Sequence, residues 1–402
     1  GAGAGLGLLA LRLRPPRREL LRLRLARLMA RPRTALLPGT ALVLALAATP
    51  LQPSVRFEDS QAVAVVTVPA IEPSPELAEP APIEAVPMPE AAQPPRQRVA
   101  ESPSVVAIAA RPDGNFEYRV NGRAEFIRGV GYNPVTKTAS PEQRAARFDR
   151  DFAAMSAIGV NTVSGWDEGE FDELLLDKAA EYGLGVILPF ELRPAWAYDD
   201  PKVRQQVRDE VLKRAQRFKD RPALRMWGLG NEVVHGILPR NGPRAQAFSQ
   251  FLIQAADELH NLDANHPIVY RDAEDVFLEP VARALRANPQ PRPWFVYGMN
   301  FFTTRMDDAL TKGPARSLRQ PLLISEFAPA GLRAADRPTG YSKLWGVIQA
   351  HRSMLLGGCA YVWSTAGPEP LDRSFGLTNE AGEPVDSTVA ALASLFTASA
   401  SP

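Results

Sequence analysis

Eight short apolar segments, separated by amphipathic segments, make up most of the chain after residue 111. Each apolar segment has the length and the β-branched and aromatic content of a buried strand. A repeated strand-then-helix order predicts a parallel sheet, because parallel neighbours need a crossover that a helix usually provides. The candidate strands are 126–132, 159–166, 185–191, 223–232, 267–272, 294–302, 321–327 and 357–363.

Two intervening segments, 140–159 and 200–220, carry clear helix starts, Ser140-Pro141 and Asp200-Pro201. A serine or aspartate cap before a first-turn proline is typical of a helix N-terminus. Eight strand–helix units in about 285 residues predict an α/β fold of the (β/α)8 TIM-barrel class, over residues 111–397. A doubly wound open sheet is the alternative, but it normally carries a glycine-rich phosphate loop after the first strand. The corresponding segment, RGVGYNP, lacks that pattern.

Ahead of the first barrel strand, NFEYRVNGRAEF predicts a β-hairpin, because Asn121-Gly122 suits a two-residue turn. We expect this hairpin to close the floor of the barrel. Farther upstream, residues 51–110 are dense in proline, alanine and glutamate. Such a segment buries too little apolar surface to offset its ordering entropy, which predicts a disordered linker.

The first 50 residues have a different composition again. Residues 1–34 contain nine arginines and one acidic residue, and residues 35–50 form a short apolar segment. A basic segment before a short apolar one predicts an export signal or an uncleaved membrane anchor. An amphipathic membrane-surface or targeting helix and a nucleic-acid-binding arm remain alternatives. We therefore expect an exported barrel, secreted or membrane-anchored, that faces the periplasm or the cell exterior.

The charge balance of the whole chain argues against a nucleic-acid partner. There are 46 Lys+Arg and 45 Asp+Glu residues, so the net charge is +1 and no global basic field exists. The single cysteine, Cys359, allows no intrachain disulfide. No His, Asp or Cys group has metal-ligand spacing, so we expect neither a metal nor another cofactor.

Two glutamates end candidate strands: Glu232 closes WGLGNE on the fourth strand and Glu326 lies in LLISEF on the seventh. Reacting groups of a TIM barrel lie at the carboxyl ends of its strands. The fourth and seventh strands lie across the barrel mouth from each other, so the two carboxyls can face one another. Retaining glycoside cleavage needs two carboxyls about 5 to 5.5 Å apart, one protonated and one ionised. The pair therefore predicts a retaining glycosidase site.

These motifs resemble those of the clan A glycoside hydrolases, particularly the catalytic barrels of families 2 and 5. The resemblance covers residues 116–389 and includes, in order, NGRAEFIRGVGYNP, AIGVNTV, RFKDRPALRMWGLGNE, GCAYVW and FGLTNEAGEP. It implies that Glu232 is the acid/base and Glu326 the nucleophile. It also implies that Asn231 donates a hydrogen bond to the sugar 2-hydroxyl and that Trp363 forms an apolar floor under the sugar.

Further polar and aromatic residues lie at predicted strand ends and are candidates for substrate binding. Those expected to contact sugar hydroxyls are Arg128, Tyr132, Glu191 and Asn300, and Trp166 is expected to stack on a pyranose ring. Loop support or packing is the alternative role for each. The substrate is expected to be an oligo- or polysaccharide.

The chain departs from the family pattern in two places. Many clan A enzymes carry an arginine at the end of the second strand, where this chain has Ser164, and a tyrosine after the sixth, where it has Phe302. Arg128 is a candidate for the missing positive charge. Without these groups Glu326 would be less well oriented, so a non-catalytic carbohydrate-binding barrel remains open. The RGVGYNP segment also resembles β-1,3-glucan-remodelling transferases, which keeps transglycosylation open.

Overall fold

The structure is a computed structural model and describes residues 102–329, 334–367 and 371–399. The predicted basic segment (1–34), the apolar segment (35–50) and most of the predicted linker (51–110) lie outside the described residues. Among the helices of the described ranges, none is long and apolar enough to cross a membrane.

Eight parallel strands close into a barrel in which each strand pairs with its sequence neighbours and the last pairs with the first. All eight coincide with the predicted segments, which confirms the (β/α)8 class. Closure leaves no strand edge unpaired. The barrel strands are β4 (Ile127–Gly131), β5 (Thr162–Ser164), β6 (Gly185–Phe190), β7 (Leu224–Asn231), β8 (Ile268–Ala273), β9 (Phe295–Phe301), β10 (Leu322–Phe327) and β11 (Leu355–Ala360).

Helices pack around the barrel, and both predicted helix starts are confirmed. Ser140 forms a reciprocal capping box with Gln143, and the Asp200 carboxylate accepts a hydrogen bond from the backbone N–H of Lys202 at 2.8 Å. The helices are α1 (Pro141–Ala157), α2 (Glu173–Glu181), α3 (Pro201–Phe218), α4 (Val233–Ile237), α5 (Gly242–Leu262), α6 (Glu279–Ala287), α7 (Met306–Lys312), α8 (Arg337–Ala350), α9 (Asp372–Phe375) and α10 (Thr388–Ala398).

The predicted hairpin is present as β2 (Phe116–Val120) and β3 (Arg123–Ala124). Its two-residue turn has positive φ at both positions, 51° at Asn121 and 78° at Gly122, as a type I′ turn requires. A further strand, β1 (Val106–Ala110), pairs antiparallel with β2. The linker was predicted to end at residue 110, so this boundary is corrected. Residues 106–110 belong to the folded domain because their backbone groups complete a three-stranded sheet.

This small sheet closes the amino-terminal end of the barrel, as expected. Val106, Tyr118 and Val120 form a buried cluster with interior side chains from seven of the eight barrel strands. Those interior side chains are Ile127, Ile187, Met226, Val269, Val296, Leu323, Leu356 and Cys359. The small sheet does not cover the carboxyl-terminal end of the barrel, which is the end where TIM barrels carry their active sites.

Candidate active site

Glu232 lies at the carboxyl end of β7, where the strand becomes irregular. Gly230 and Glu232 have positive φ values of 86° and 52°, and the pairing with β8 shifts register between Gly228 and Asn231. A non-glycine residue in the left-handed region costs free energy, and such residues cluster at functional sites. The irregular strand end, followed at once by α4, sets the direction of the Glu232 side chain.

Glu326 lies in β10, which also shifts register against β9, between Ile324 and Glu326. A bulge of this kind redirects the side chains that follow it. The Glu326 side chain is buried, with 4% of the residue exposed. Its Oε1 accepts hydrogen bonds from the indole Nε1 of Trp166 at 2.5 Å and from Nδ2 of Asn231 at 3.3 Å.

Two amides connect the glutamates. Nδ2 of Asn300 donates to Oδ1 of Asn231 at 3.1 Å and to Oε1 of Glu232 at 3.2 Å. The hydroxyl of Ser325 donates to Oδ1 of Asn300 at 2.7 Å and so orients that amide. A continuous line of hydrogen bonds therefore runs from Glu232 through Asn300 and Asn231 to Glu326, and the structure brings these four predicted residues together.

The other oxygen of Glu232 lies next to a histidine, Nδ1 of His235 being 3.3 Å from Oε2. Glu232 is the N-cap residue of α4, yet its side chain makes no cap hydrogen bond. Instead, Oδ1 of Asp272 accepts the hydrogen bond from the backbone N–H of His235 at 3.2 Å. Asp272 thus supplies the helix cap in place of the Glu232 side chain.

Asp272 is fully buried and hydrogen-bonded to the hydroxyl of Tyr270. Burial, with a smaller contribution from the nearby Glu232 carboxylate, raises the pKa of Asp272 to about 7, although the hydrogen bonds that Asp272 accepts oppose the rise. The Asp272 carboxyl next to Glu232 therefore has a pKa well above that of an ordinary aspartate. Asp272 was not among the predicted site residues.

Arg271, on β8, is another residue of the site that was not predicted. Only 1% of Arg271 is exposed, and its Nη1 donates to Oγ of Ser164 at 3.2 Å and to the carbonyl of Gly165 at 2.7 Å. Burial lowers the pKa of Arg271 to about 10, while the Glu326 carboxylate acts to raise it. The guanidinium is therefore cationic at neutral pH. The alternation in PIVYRD was the available signal, because Arg271 shares a strand face with the barrel-interior Val269.

Three predicted substrate-binding residues lie away from the carboxyl pair and are corrected. Nε of Arg128 donates to the carbonyl of Gly159, which precedes β5 and lies at its amino-terminal end, so this arginine cannot supply charge to Glu326. Tyr132 is turned outward onto α1, where its hydroxyl donates to Asp151 at 2.9 Å. Glu191 is exposed and pairs with Arg193 at 2.8 Å, as an ordinary surface ion pair.

Trp363 does not form the predicted floor of the sugar site. It is 1% exposed within the main apolar cluster, and an indole enclosed in this way presents no face to a sugar. Tyr361, directly after β11, lies nearer the site, with its ring centroid 5.3 Å from that of Trp166 and 5.3 Å from that of Phe302. The peptide bond between Tyr361 and Val362 is cis. Trp166 itself reaches the site through its N–H donor rather than as an open stacking face.

The described residues contain no group of three or more His, Cys, Asp or Glu side chains arranged to hold a metal ion. The polar groups described at the barrel mouth include two carboxyls, two amides, an indole N–H and the imidazole of His235. Such a set is suited to proton transfer and to nucleophilic attack by a carboxylate.

Comparison with known proteins gives matches whose names are those of glycosidases. No protein-family model matches the chain. A stretch of 172 residues, 42% of this chain, is 24% identical to β-mannosidase A of Aspergillus niger, and it covers 18% of that protein. The chain thus matches about a fifth of the length of this curated relative.

Solved structures share the barrel. A β-glucuronidase from Bacteroides uniformis aligns with a TM-score of 0.57 at 15% identity, over 72% of this chain and 37% of that one. A GH2 β-galacturonidase from Eisenbergiella tayi aligns with a TM-score of 0.54 at 16% identity, over 73% and 54% of the two chains. At these identities the structural likeness establishes the fold. Together with the sequence match, it confirms for the barrel the likeness to family 2 glycoside hydrolases that the two glutamate motifs indicated.

Proposed function

We propose that the barrel cleaves a β-glycosidic bond with retention of configuration, with Glu326 as nucleophile and Glu232 as acid/base. The observation that supports this most is the hydrogen-bonded line Glu232–Asn300–Asn231–Glu326 at the carboxyl ends of β7, β9 and β10. Two carboxyls in one polar site, at strand ends of a TIM barrel, match what double displacement at an anomeric carbon requires.

In the first step an oxygen of ionised Glu326 attacks the anomeric carbon, and the bond to the leaving oxygen breaks as that oxygen takes the proton of Glu232. In the second step Glu232 takes a proton from water, whose oxygen attacks the anomeric carbon and releases Glu326. Each carboxyl returns to its starting protonation state, so the cycle balances. A sugar hydroxyl in place of the water gives transglycosylation, which remains the alternative reaction.

Neighbouring residues have roles that follow from their contacts. Trp166 and Asn231 both donate to Oε1 of Glu326 and so orient its carboxylate for the attack on carbon. The Asn231 amide is also the donor we propose for the sugar 2-hydroxyl. Asn300 holds the Asn231 and Glu232 side chains in a common orientation. Because Glu326 has this support, a non-catalytic barrel is the weaker alternative.

The test is covalent trapping with activated 2-fluoro glycosides. The manno, gluco, galacto and glucuronic forms make the panel, since relatives named β-mannosidase and β-glucuronidase share the barrel. We expect one form to add its glycosyl mass to the peptide that contains Glu326, and Glu326→Gln to abolish both labelling and turnover. Glu191→Gln is the matched control, because Glu191 is a strand-end glutamate in a surface ion pair. Unchanged turnover in Glu326→Gln, or no turnover in the parent on any sugar, would reject the enzyme proposal.

We further propose that the barrel is exported and tethered through the apolar segment 35–50, with residues 51–101 as the spacer. The order of a basic segment, a short apolar segment and a segment dense in proline, alanine and glutamate within residues 1–101 supports this. Expression of the full chain with a reporter at its carboxyl end, followed by protease treatment of intact cells, tests it. Digestion of the reporter supports export, whereas protection that is lost only on lysis contradicts it.

A further inference from the structure

We propose that Arg271, on the fifth barrel strand, positions the Glu326 carboxylate and supplies the positive charge that the family pattern expects from the second strand. This inference rests on the proposed function, in which Glu326 is the nucleophile. It assigns to Arg271 a role that no sequence motif indicated.

The guanidinium of Arg271 crosses the barrel interior to the end of β5. Nη1 donates to Ser164 and Gly165, and Nε lies 3.4 Å from the carbonyl of Gly230. Ser164 is the residue that stands where an arginine was expected. A serine at that position therefore leaves space for an arginine from another strand and offers it a hydroxyl acceptor. The positive charge of Arg271 thus lies at the end of the second strand although the residue belongs to the fifth.

Glycines on both strands that flank β8 make room for the arginine. A Cβ on Gly228, in β7, would lie 3.2 Å from Nη2 of Arg271. A Cβ on Gly298, in β9, would lie 3.0 Å from its Cγ and 2.7 Å from the Oγ of Ser325. Real Cβ atoms rarely approach neighbours this closely, so alanine at either position would press on the arginine or on Ser325. The barrel wall is thus shaped around this side chain.

The charge of Arg271 acts on Glu326 through a low-dielectric interior. A buried cation beside a carboxylate favours the ionised form, which is the nucleophilic one. Burial raises the pKa of Cys359, the other titratable group near the guanidinium, to about 12, so its thiol is neutral and does not offset the charge. The remaining titratable groups around the pair are Glu232, His235 and Asp272, with Tyr270 and Tyr297 deeper in the core.

The decisive variant is Arg271→Met, which keeps an unbranched buried side chain and removes the charge. We expect the acidic limb of the kcat/KM profile, which reports ionisation of the nucleophile, to move to higher pH by about 1 to 3 units. Arg271→Lys should move it less, because an ammonium keeps the charge without the fork of donors. Arg128→Met is the matched control, since Arg128 is a part-buried barrel-strand arginine whose guanidinium binds Gly159. Arg128→Met should leave the acidic limb of the kcat/KM profile at the pH of the parent.

Two further measurements keep the test decisive. The double variant Ser164→Arg with Arg271→Met should move the limb back, because it returns the charge to the second strand. If Arg271→Met does not fold, Gly228→Ala, which crowds Nη2, should shift the limb in the same direction by less. A uniform loss of kcat/KM at every pH, with the limb unmoved, would mean that Arg271 only maintains the barrel and would overturn the inference.

A readout without substrate separates this inference from the proposed function. The carboxyl carbons of ¹³C-labelled glutamate are titrated by NMR, and Glu326→Gln identifies the Glu326 signal. We expect its titration to move to higher pH in Arg271→Met and to stay unchanged in Arg128→Met. That shift in a protein without turnover supports the inference and rejects the enzyme proposal. Turnover in the parent, with no shift of the Glu326 titration in Arg271→Met, supports the enzyme proposal and rejects the inference.

Discussion

At the barrel mouth, the indole of Trp166 donates a hydrogen bond to the Glu326 carboxylate at 2.5 Å. The ring lies over Gly131, where an added Cβ would come within 2.2 Å of it, and against Tyr361. A glycine on β4 is thus needed for the indole to reach Glu326. The Trp166 N–H then donates to Glu326 the kind of hydrogen bond that was expected from a tyrosine hydroxyl after the sixth strand.

Trp166→Phe should lower kcat/KM by about 10- to 100-fold, because a hydrogen bond to a charged group contributes about 1.5 to 3 kcal/mol. The phenyl ring retains most of the packing over Gly131, so circular dichroism and Tm should stay close to those of the parent. Trp196→Phe is the control, since Trp196 contacts Arg193 and Tyr198 in the loop after β6. Full kcat/KM in Trp166→Phe would show that the indole N–H is dispensable.

Asp272 gives stability a predictable pH dependence. Its pKa is raised to about 7 in the fold from an ordinary value of 3.8, so the folded chain keeps this proton after the unfolded chain has lost it. The unfolded state therefore binds fewer protons between about pH 4 and pH 7, and the free energy of unfolding falls as the pH rises through that window.

Asp272→Asn removes this titration while an amide oxygen still caps α4. Between pH 4 and pH 7 its Tm should therefore decline less, or rise more, than the Tm of the parent, as measured by scanning calorimetry. Asp209→Asn, at a surface position in α3, serves as the control. Tm curves for Asp272→Asn and the parent that run parallel over this window would contradict the raised pKa.

Among the turns and helices, two glycines with open surroundings differ in the backbone conformation that their positions require. Gly122 forms the hairpin turn with φ of 78°, and Gly346 lies in α8; a Cβ on either meets no atom within 4 Å. Any effect of alanine at these positions therefore comes from backbone conformation alone. In a turn with positive φ a Cβ is strained, whereas in a helix alanine loses less entropy on folding than glycine does.

We expect Gly122→Ala to lower the free energy of unfolding by about 1 to 2 kcal/mol. Gly346→Ala should raise it by about 0.5 to 1 kcal/mol. Urea denaturation of the two variants beside the parent measures both. If the free energy of unfolding changes with the same sign in both variants, then side-chain contacts, and not φ, determine the effect of alanine at these positions.

For the whole molecule, β1 is part of the barrel floor although its composition joins it to the linker. The backbone N–H of Val106 donates to Oδ1 of Asn265 at 3.1 Å, and the hydroxyl of Ser104 donates to the carbonyl of Pro222 at 2.7 Å. These bonds tie the strand to the loops before β7 and β8. The domain that carries the site therefore begins before residue 106.

Removal of residues 1–101 should leave Tm and activity unchanged, whereas removal of residues 1–110 should lower Tm. The longer deletion takes away Val106 and uncovers Tyr118 and Val120, a loss of about 2 kcal/mol or more. Thermal denaturation of the two truncated proteins tests this. Equal Tm values would mean that β1 contributes nothing to the floor.

The barrel, the two helix starts and the two glutamates were predictable because each depends on local chain properties. Strand alternation, cap residues and a strand-end carboxylate all lie within a few residues of one another in sequence. The hairpin turn belongs to the same class, because Asn121-Gly122 by itself favours positive φ at both positions.

The direction of side chains at the barrel mouth was decided only by the tertiary structure. Register shifts at the ends of β7 and β10 break the two-residue period, so sequence position no longer tells which face a residue occupies. Tyr132 and Trp363, which follow β4 and β11, are buried away from the predicted site. Arg271 reaches Ser164 from three strands away because only barrel closure brings those strands into one interior, and no local pattern carries that information.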